Sequence, residues 1–287
     1  MKKIGQTLRL LRQSKGLSQR EVAEGVMDFS YYNRVENDKV NISFSKLLLL
    51  LENFDISIEE FMFLNENNNK KDLRTLIADA YYLGNIQTLL KLEKLCIKQF
   101  EESDKILFRH SFILCRLLFA RRNNEKLEQR YIDEIVDYLN SLSYYTRNDV
   151  RMLSDFYDIL PTEMVFFLFE QMCIGKKKHS IADLSGFDML VFHFNVIDLA
   201  IKHEKYSLAK KILEETKKEF FNPLNLLAVT ICNYYDGLFL ILFGNDAEQG
   251  TKLAEETIVV LESCKLKYQA QRHKEFLEEI KAKVQPI

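Results

Sequence analysis

Lys15-Gly16-Leu17-Ser18-Gln19-Arg20-Glu21-Val22-Ala23-Glu24-Gly25-Val26-Met27-Asp28-Phe29-Ser30-Tyr31-Tyr32-Asn33-Arg34-Val35-Glu36-Asn37 decides the fold of the N-terminal part. Gly16 suits the left-handed position just past a helix C-terminus. Ser18 suits the N-cap of the next helix, and Glu21 three residues on completes a capping box. Val22, Ala23 and Val26 form the buried side of that helix. Residues 25–28 form a turn, and Asp28 caps a third helix from Phe29 to about Asn37. Tyr32 and Val35 face inward there, while Ser30, Tyr31 and Arg34 face outward.

The flanks extend this pattern. Upstream, Ile4, Leu8 and Leu11, with the interposed Leu10, mark an apolar helical face, and Arg9, Arg12 and Lys15 lie largely on another. Downstream, Ser43 caps a fourth helix buried through Leu47, Leu48, Leu50, Leu51 and Phe54. Ser57, with Glu60 at the box position, opens a short fifth helix, and Ile56, Ile58 and Phe61 close the bundle. Residues 1–64 therefore predict a five-helix domain.

Asn65-Glu66-Asn67-Asn68-Asn69-Lys70-Lys71 is a polar, turn-favouring run, which predicts a linker over 65–71. Residues 72–287 then stay helical in pattern. Breaks are expected at Gly84-Asn85, Arg122-Asn123-Asn124, Pro161, 175–178, Asn222-Pro223 and Gly244-Asn245-Asp246. An echo between Tyr206-Ser207-Leu208-Ala209-Lys210 and Thr251-Lys252-Leu253-Ala254-Glu255 resembles tetratricopeptide-type helix pairs, which stack into a superhelix with a concave face. With only 9 Gly and 3 Pro in 287 residues, strands and tight turns have little support, so the fold class is all-α.

A net charge of −2 excludes wholesale coating of nucleic acid, yet Lys2, Lys3, Arg9, Arg12, Lys15 and Arg20 precede the first acid, Glu21. Cys96, Cys115, Cys173, Cys232 and Cys264 are widely spaced, which predicts buried, reduced thiols in a cytoplasmic protein. No signal peptide or apolar run of the ~20 residues that span a bilayer is expected. His110, His179, His193, His203 and His273 are scattered. No metal-ligand, cofactor or nucleophile pattern accompanies them, so no catalytic residue, metal or cofactor is expected.

Arg12, Lys15-Gly16-Leu17-Ser18-Gln19, Ala23, Asn33-Arg34-Val35-Glu36-Asn37 and Asp55-Ile56-Ser57-Ile58-Glu59-Glu60-Phe61 together resemble the helix-turn-helix family named after phage repressors and Cro. The turn between helices two and three is one residue shorter than in most members. The resemblance implies a recognition helix in the DNA major groove, with its N-terminal residues at the base edges. Ser30, Tyr31 and Arg34 are then candidates for bases or the adjoining backbone. Gln19, at a helix start, is a candidate for a phosphate. Arg9, Arg12 and Lys15 are candidates for electrostatic backbone contacts. The alternatives are a solvated face for Arg9 and Lys15, and an ion pair with Glu36 or another acid for Arg34.

The domain order, together with Tyr144-Tyr145-Thr146-Arg147-Asn148-Asp149-Val150-Arg151-Met152-Leu153-Ser154-Asp155, resembles the Rgg family of regulators. The chain departs from it in having Tyr where Trp is common. The likeness implies a homodimer on inverted-repeat promoter DNA, with RNA polymerase as a further candidate partner. It also implies a short imported signalling peptide bound in the concave face of the repeats. By that likeness Arg151 meets a peptide carboxylate, with Asn148 and Asp155 on the same side; the alternative is an Arg151–Asp155 ion pair at i, i+4 spacing. Among the aromatic residues, Tyr234 and Tyr235 are the better groove candidates because their hydroxyls seek water, with a core position as the alternative. The competing function is a peptide-independent regulator whose helical domain is a dimerisation and protein-interaction scaffold.

Overall fold

The computed structural model describes residues 3–66, 72–178, 186–222, 224–244 and 246–284, with backbone only at 66 and 173–178. Lys2, linker residues 67–71, His179, Pro223, Asn245 and the Cys173 side chain, on which the sequence raised expectations, lie outside the described residues. The chain divides into two compact units, Met1–Asp72 and Leu73–Ile287.

The first unit comprises α1 (Ile4–Ser14), α2 (Gln19–Ala23), α3 (Phe29–Glu36), α4 (Phe44–Asn53) and α5 (Ile58–Glu66). Gly16 stops α1 at φ +68°, a conformation costly for residues with a Cβ. Glu21 N–H donates to Ser18 Oγ at 3.2 Å and Ser18 N–H to Glu21 Oε2 at 2.6 Å, closing the capping box on α2. Asp28 Oδ1 accepts from Tyr31 N–H at 2.8 Å, and Ser57 and Glu60 close the second box. Leu8, Val22, Tyr32, Leu50, Phe54 and Phe61 fill the core. Burying each of the aliphatic side chains contributes about 1.5–3 kcal/mol.

Two expectations change here. Leu48 is exposed rather than buried, because 100° per residue turns Leu47, Leu50 and Leu51 inward and leaves Leu48 and Leu49 outside. Asn65 belongs to α5 rather than to a linker: it is buried, and its Oδ1 accepts from Thr7 Oγ1 at 2.8 Å. Gly5 marks a close approach that the sequence did not signal. A Cβ there would lie 2.2 Å from the Val35 carbonyl oxygen, so α1 starts against the end of the α3 backbone.

The second unit runs through α6 (Leu73–Tyr82), α7 (Ile86–Ser103), α8 (Ile106–Asn123), α9 (Gln129–Ser141), α10 (Arg147–Phe156), α11 (Thr162–Lys178), α12 (Phe187–Lys202), α13 (Tyr206–Phe220), α14 (Leu226–Leu242), α15 (Ala247–Ser263) and α16 (Lys267–Val284). Neighbours in sequence pack as pairs, most extensively α7 on α8, α12 on α13 and α14 on α15. The pairs also meet through alternate helices, α10 with α12 and α14 with α16. The even-numbered helices thus form one layer of a helical solenoid, and α12 and α14, covered on several sides, are buried around most of their circumference. No described helix is long and apolar enough to cross a membrane.

Gly84, Asn124 and Gly244 end helices where breaks are expected, and they do so in the left-handed region, as do Asp104, Glu204 and Lys265, where none is expected. The loop expected at 175–178 is instead the last turn of α11. Cys96, Cys115 and Cys232 are buried free thiols, whereas Cys264 is exposed at the end of α15, contrary to expectation: its position just past the last turn leaves it uncovered.

The tightest crossing is α14 on α15. A Cβ on Gly237 would stand 2.5 Å from the Gly250 carbonyl oxygen, and one on Gly250 would stand 2.6 Å from that of Gly237. Backbone faces backbone there, and neither side can yield by changing a rotamer. Gly237→Ala is therefore expected to destabilise the second unit by roughly 1–3 kcal/mol through overpacking. The shift should register as a lower urea midpoint at unchanged slope; an unchanged midpoint would show that the crossing is slack.

Candidate nucleic-acid interface and sensor face

Glu36, at the last position of α3, is the hub of the first unit. Its side chain is only 1% exposed, a costly place for a carboxylate without partners. Arg12 of α1 meets it in a two-pronged fork, Nε to Oε2 at 2.8 Å and Nη2 to Oε1 at 2.9 Å, and donates Nη1 to the Leu17 carbonyl at 3.1 Å. Arg9 adds Nε to Oε1 at 3.1 Å and also reaches Asn37 Oδ1. Burial pushes the Glu36 carboxyl pKa up, but hydrogen bonds from Arg12 and Gln19 outweigh it and hold the pKa below its ordinary 4.5. Tyr32 is buried beside the pair, and burial, reinforced by the Glu36 charge, pushes its hydroxyl pKa far up.

This geometry redistributes the residues expected at DNA. Arg12, with the fork and the Leu17 carbonyl to satisfy, is an internal tie between α1 and α3, its side chain 17% exposed. Arg9 shares Glu36 from a more exposed position, and the partner considered for Arg34 is thereby occupied. Gln19 Oε1 accepts from Asn33 Nδ2 at 3.0 Å, which ties α2 to α3. Lys15, Ser30 and Arg34 stay on the surface, and Ser30 and Arg34 share one face of α3 at i, i+4 spacing. Tyr31 is held from both sides: its hydroxyl donates to the Asn41 carbonyl at 3.1 Å, and Lys46 Nζ stands 4.7 Å from its ring centroid. Arg20 lies 5.6 Å over the Phe29 ring at the start of the same helix. Lys46 was not singled out from the sequence; its place in the first turn after Ser43 was the available signal. Arg20, Arg34 and Lys46 make no ion pair among the described residues, so this edge of α3 carries positive charge without internal neutralisation.

In the second unit the expected pairings are exchanged. Arg151 Nε donates to Asp188 Oδ1 at 2.9 Å, and Arg147 Nε to Oδ2 at 2.5 Å, which joins α10 to the start of α12. Burial raises the Asp188 pKa, and the hydrogen bonds from Arg147 and Arg151 more than reverse it, leaving it lowered. Asp155, considered as the partner of Arg151, is instead forked by Arg74 of α6, and burial still holds its pKa up. Asn148 is exposed near the start of α10, on the same face as Arg151 and Asp155 at i, i+3 and i, i+7 spacing.

Tyr234 and Tyr235 correct the groove expectation, since both are core residues whose hydroxyls find partners inside the protein. Tyr234 donates to the His273 carbonyl at 2.7 Å, and Tyr235 to Asp198 Oδ1 at 2.8 Å. Arg272 of α16 donates to the other Asp198 oxygen at 2.8 Å. One layer of helices is thus stitched by carboxylates, each facing arginine.

Because folding lowers the Glu36 pKa, the folded unit binds fewer protons than the unfolded chain. Its contribution to stability is full above about 4.5 and fades as pH falls through the depressed value. Glu36→Gln should cost the first unit roughly 2–4 kcal/mol, tempered because Arg12 and Arg9 keep some water. It should also flatten the acid limb of the unfolding-temperature profile between pH 5 and 3. A profile that keeps its acid limb would assign the pH dependence to other carboxylates.

Comparison with known proteins bears on both units. Residues 8–61 match the helix-turn-helix family, and residues 91–275 match the family described as HTH-type transcriptional regulator Rgg, C-terminal domain. The HTH-type transcriptional regulator PrpR of Mycobacterium tuberculosis is 38% identical over 76 residues, 26% of this chain and only 16% of that protein's length. The SHP pheromone receptor Rgg2 of Streptococcus dysgalactiae superposes with a TM-score of 0.73 at 18% identity, over 96% of this chain and 99% of that one. A receptor solved in a bacterial peptide pheromone/receptor complex superposes with a TM-score of 0.75 at 18% identity, over 98% and 99%. At these identities the structural likeness establishes the fold. The Rgg match spans more than half of the chain, and the chain belongs to the Rgg family of HTH-type transcriptional regulators.

Proposed function

We propose that this regulator reads promoter DNA with α3 and is controlled by a short signalling peptide bound on the even-numbered helix layer of its second unit. The observation that carries the DNA reading is the edge of α3, where Ser30 and Arg34 stand exposed beside Arg20 and Lys46. A major groove admits one helix, and cations flanking it neutralise phosphates while side chains at its start meet base edges. Arg9, Arg12 and Gln19 act in this reading chiefly by holding α3 in place, and Lys15 contributes at the rim. A homodimer on an inverted repeat in the cytoplasm, with RNA polymerase as a further partner, completes the proposal.

The peptide reading draws on a relative known as a pheromone receptor and on another solved with a peptide pheromone. A second reading, a peptide-independent scaffold, is favoured by the internal pairing of Arg151 with Asp188 and of Asp155 with Arg74. Binding of synthetic peptides by the full-length protein separates the two.

For DNA, the operator would first be selected from a randomised duplex library. Arg34→Ala should then weaken binding by about 1–3 kcal/mol and relax preference at one position in each half-site. Lys46→Ala should weaken binding evenly across sequences and lower the salt slope by about one. Arg12→Ala should lower the unfolding temperature as well as affinity, which the other two should not. Unchanged affinity in both Arg34→Ala and Lys46→Ala would place the DNA elsewhere on the unit.

A further inference from the structure

The helix that opens the second unit ties together two other helices of the even-numbered layer. Near the start of α6, Arg74 donates Nε to Asp155 Oδ2 at 2.6 Å and Nη2 to Asp155 Oδ1 at 2.7 Å, a planar fork onto α10. At the other end of α6, the Tyr81 and Tyr82 rings meet the Tyr268 ring of α16, with centroids 5.8 and 5.3 Å apart. One short helix therefore touches both α10 and the last helix of the solenoid.

Its apolar anchorage is slight. Only Ile77 and Ala80 are buried within α6, whereas Leu76 and Tyr82 are exposed and Leu83, just beyond, is 82% exposed. Leu73 and Tyr81 add half-buried contacts to the core, so this ten-residue helix is less deeply anchored than α12 or α14 and opens more readily, and the partly buried fork ties it to α10. Asp155 is 19% exposed and Arg74 30%. Nearby Arg121 and Arg151 have carboxylates of their own in Asp158 and Asp188, while Asp155 is the carboxylate on which Arg74 is seated.

We propose that the Arg74–Asp155 fork is a clasp that holds α6 against α10, and that an entering peptide opens it by seating its own ammonium terminus on Asp155. The idea rests on the peptide-sensor reading and adds to it the regulatory step. With both carboxylate oxygens taken by Arg74 and only 19% of the side chain exposed, little of Asp155 is left for an ammonium until Arg74 leaves, so ligand and clasp compete. Because the competent state is the open one, apparent affinity is reduced by the closed fraction. Opening frees the helix that follows directly on the DNA-binding unit in the chain.

The test uses full-length wild type, Arg74→Ala and Asp155→Asn, with hydrogen exchange of residues 73–82 as the first readout. A pool of random synthetic octapeptides, with free or acetylated amino termini, supplies the second. Both variants should speed exchange in α6 by tenfold or more while α14 and α15 stay protected. Arg74→Ala should bind free-amine peptides roughly 5- to 150-fold more tightly than wild type. Asp155→Asn should lose the preference for free over acetylated termini. Unchanged α6 exchange in both variants, or equal peptide affinity in wild type and Arg74→Ala, overturns the clasp and leaves the peptide reading intact. If no peptide binds any of the three proteins, the peptide reading falls and the displacement falls with it.

Discussion

A carboxylate taken out of water must recover in partners what it loses in hydration, and Glu36 does so with groups drawn from separate helices. Arg12 comes from α1, Gln19 from the start of α2, and Glu36 itself ends α3. The same carboxylate that would be costly alone therefore fixes how the third helix lies against the first two. Gly5 tightens the arrangement by bringing the start of α1 against the backbone where α3 ends, and its N–H donates to Asp38 Oδ1 at 2.9 Å. The outward edge of α3, with Ser30 and Arg34, is presented to solvent because its inward end is pinned in this way.

The second unit uses the same device along a layer. Asp155, Asp188 and Asp198 each face arginine from another helix, and Tyr235 adds its hydroxyl to Asp198. Such pairs add little net stability over apolar packing, but each is geometrically demanding, so they set which helices are neighbours. Apolar burial supplies most of the cohesion, and where α14 meets α15 even side chains are dispensed with, Gly237 lying against Gly250.

Local signals in the sequence were legible where one residue acts on its own backbone. Ser18 with Glu21, Asp28, Ser43 and Ser57 with Glu60 all cap helices as their chemistry requires, and Gly16, Gly84 and Gly244 end them. The ends at which Asp104, Glu204 and Lys265 take the left-handed conformation were not legible, because Asp favours it only weakly and Glu and Lys do not. Gly and three lysines at 175–178 read as a break but are accommodated as the last turn of α11. The candidate site was legible in position but not in role. Arg9, Arg12, Arg34 and Arg151 are alike as cations, and only distance shows which of them has a carboxylate within reach.

What the sequence determined by itself was the all-helical class, most helix starts and the family, since periodicity, caps and motif residues act over three or four positions. Tertiary structure decided the partners. Glu36 went to Arg12 and Arg9 rather than to Arg34, Asp155 to Arg74 rather than to its helical neighbour Arg151, and the hydroxyls of Tyr234 and Tyr235 to acceptors inside the core. The physical reason is that ion pairs and buried hydroxyls join whatever the chain brings within about 3 Å. The Arg74–Asp155 pair is 81 residues apart in sequence, a separation over which periodicity carries no information.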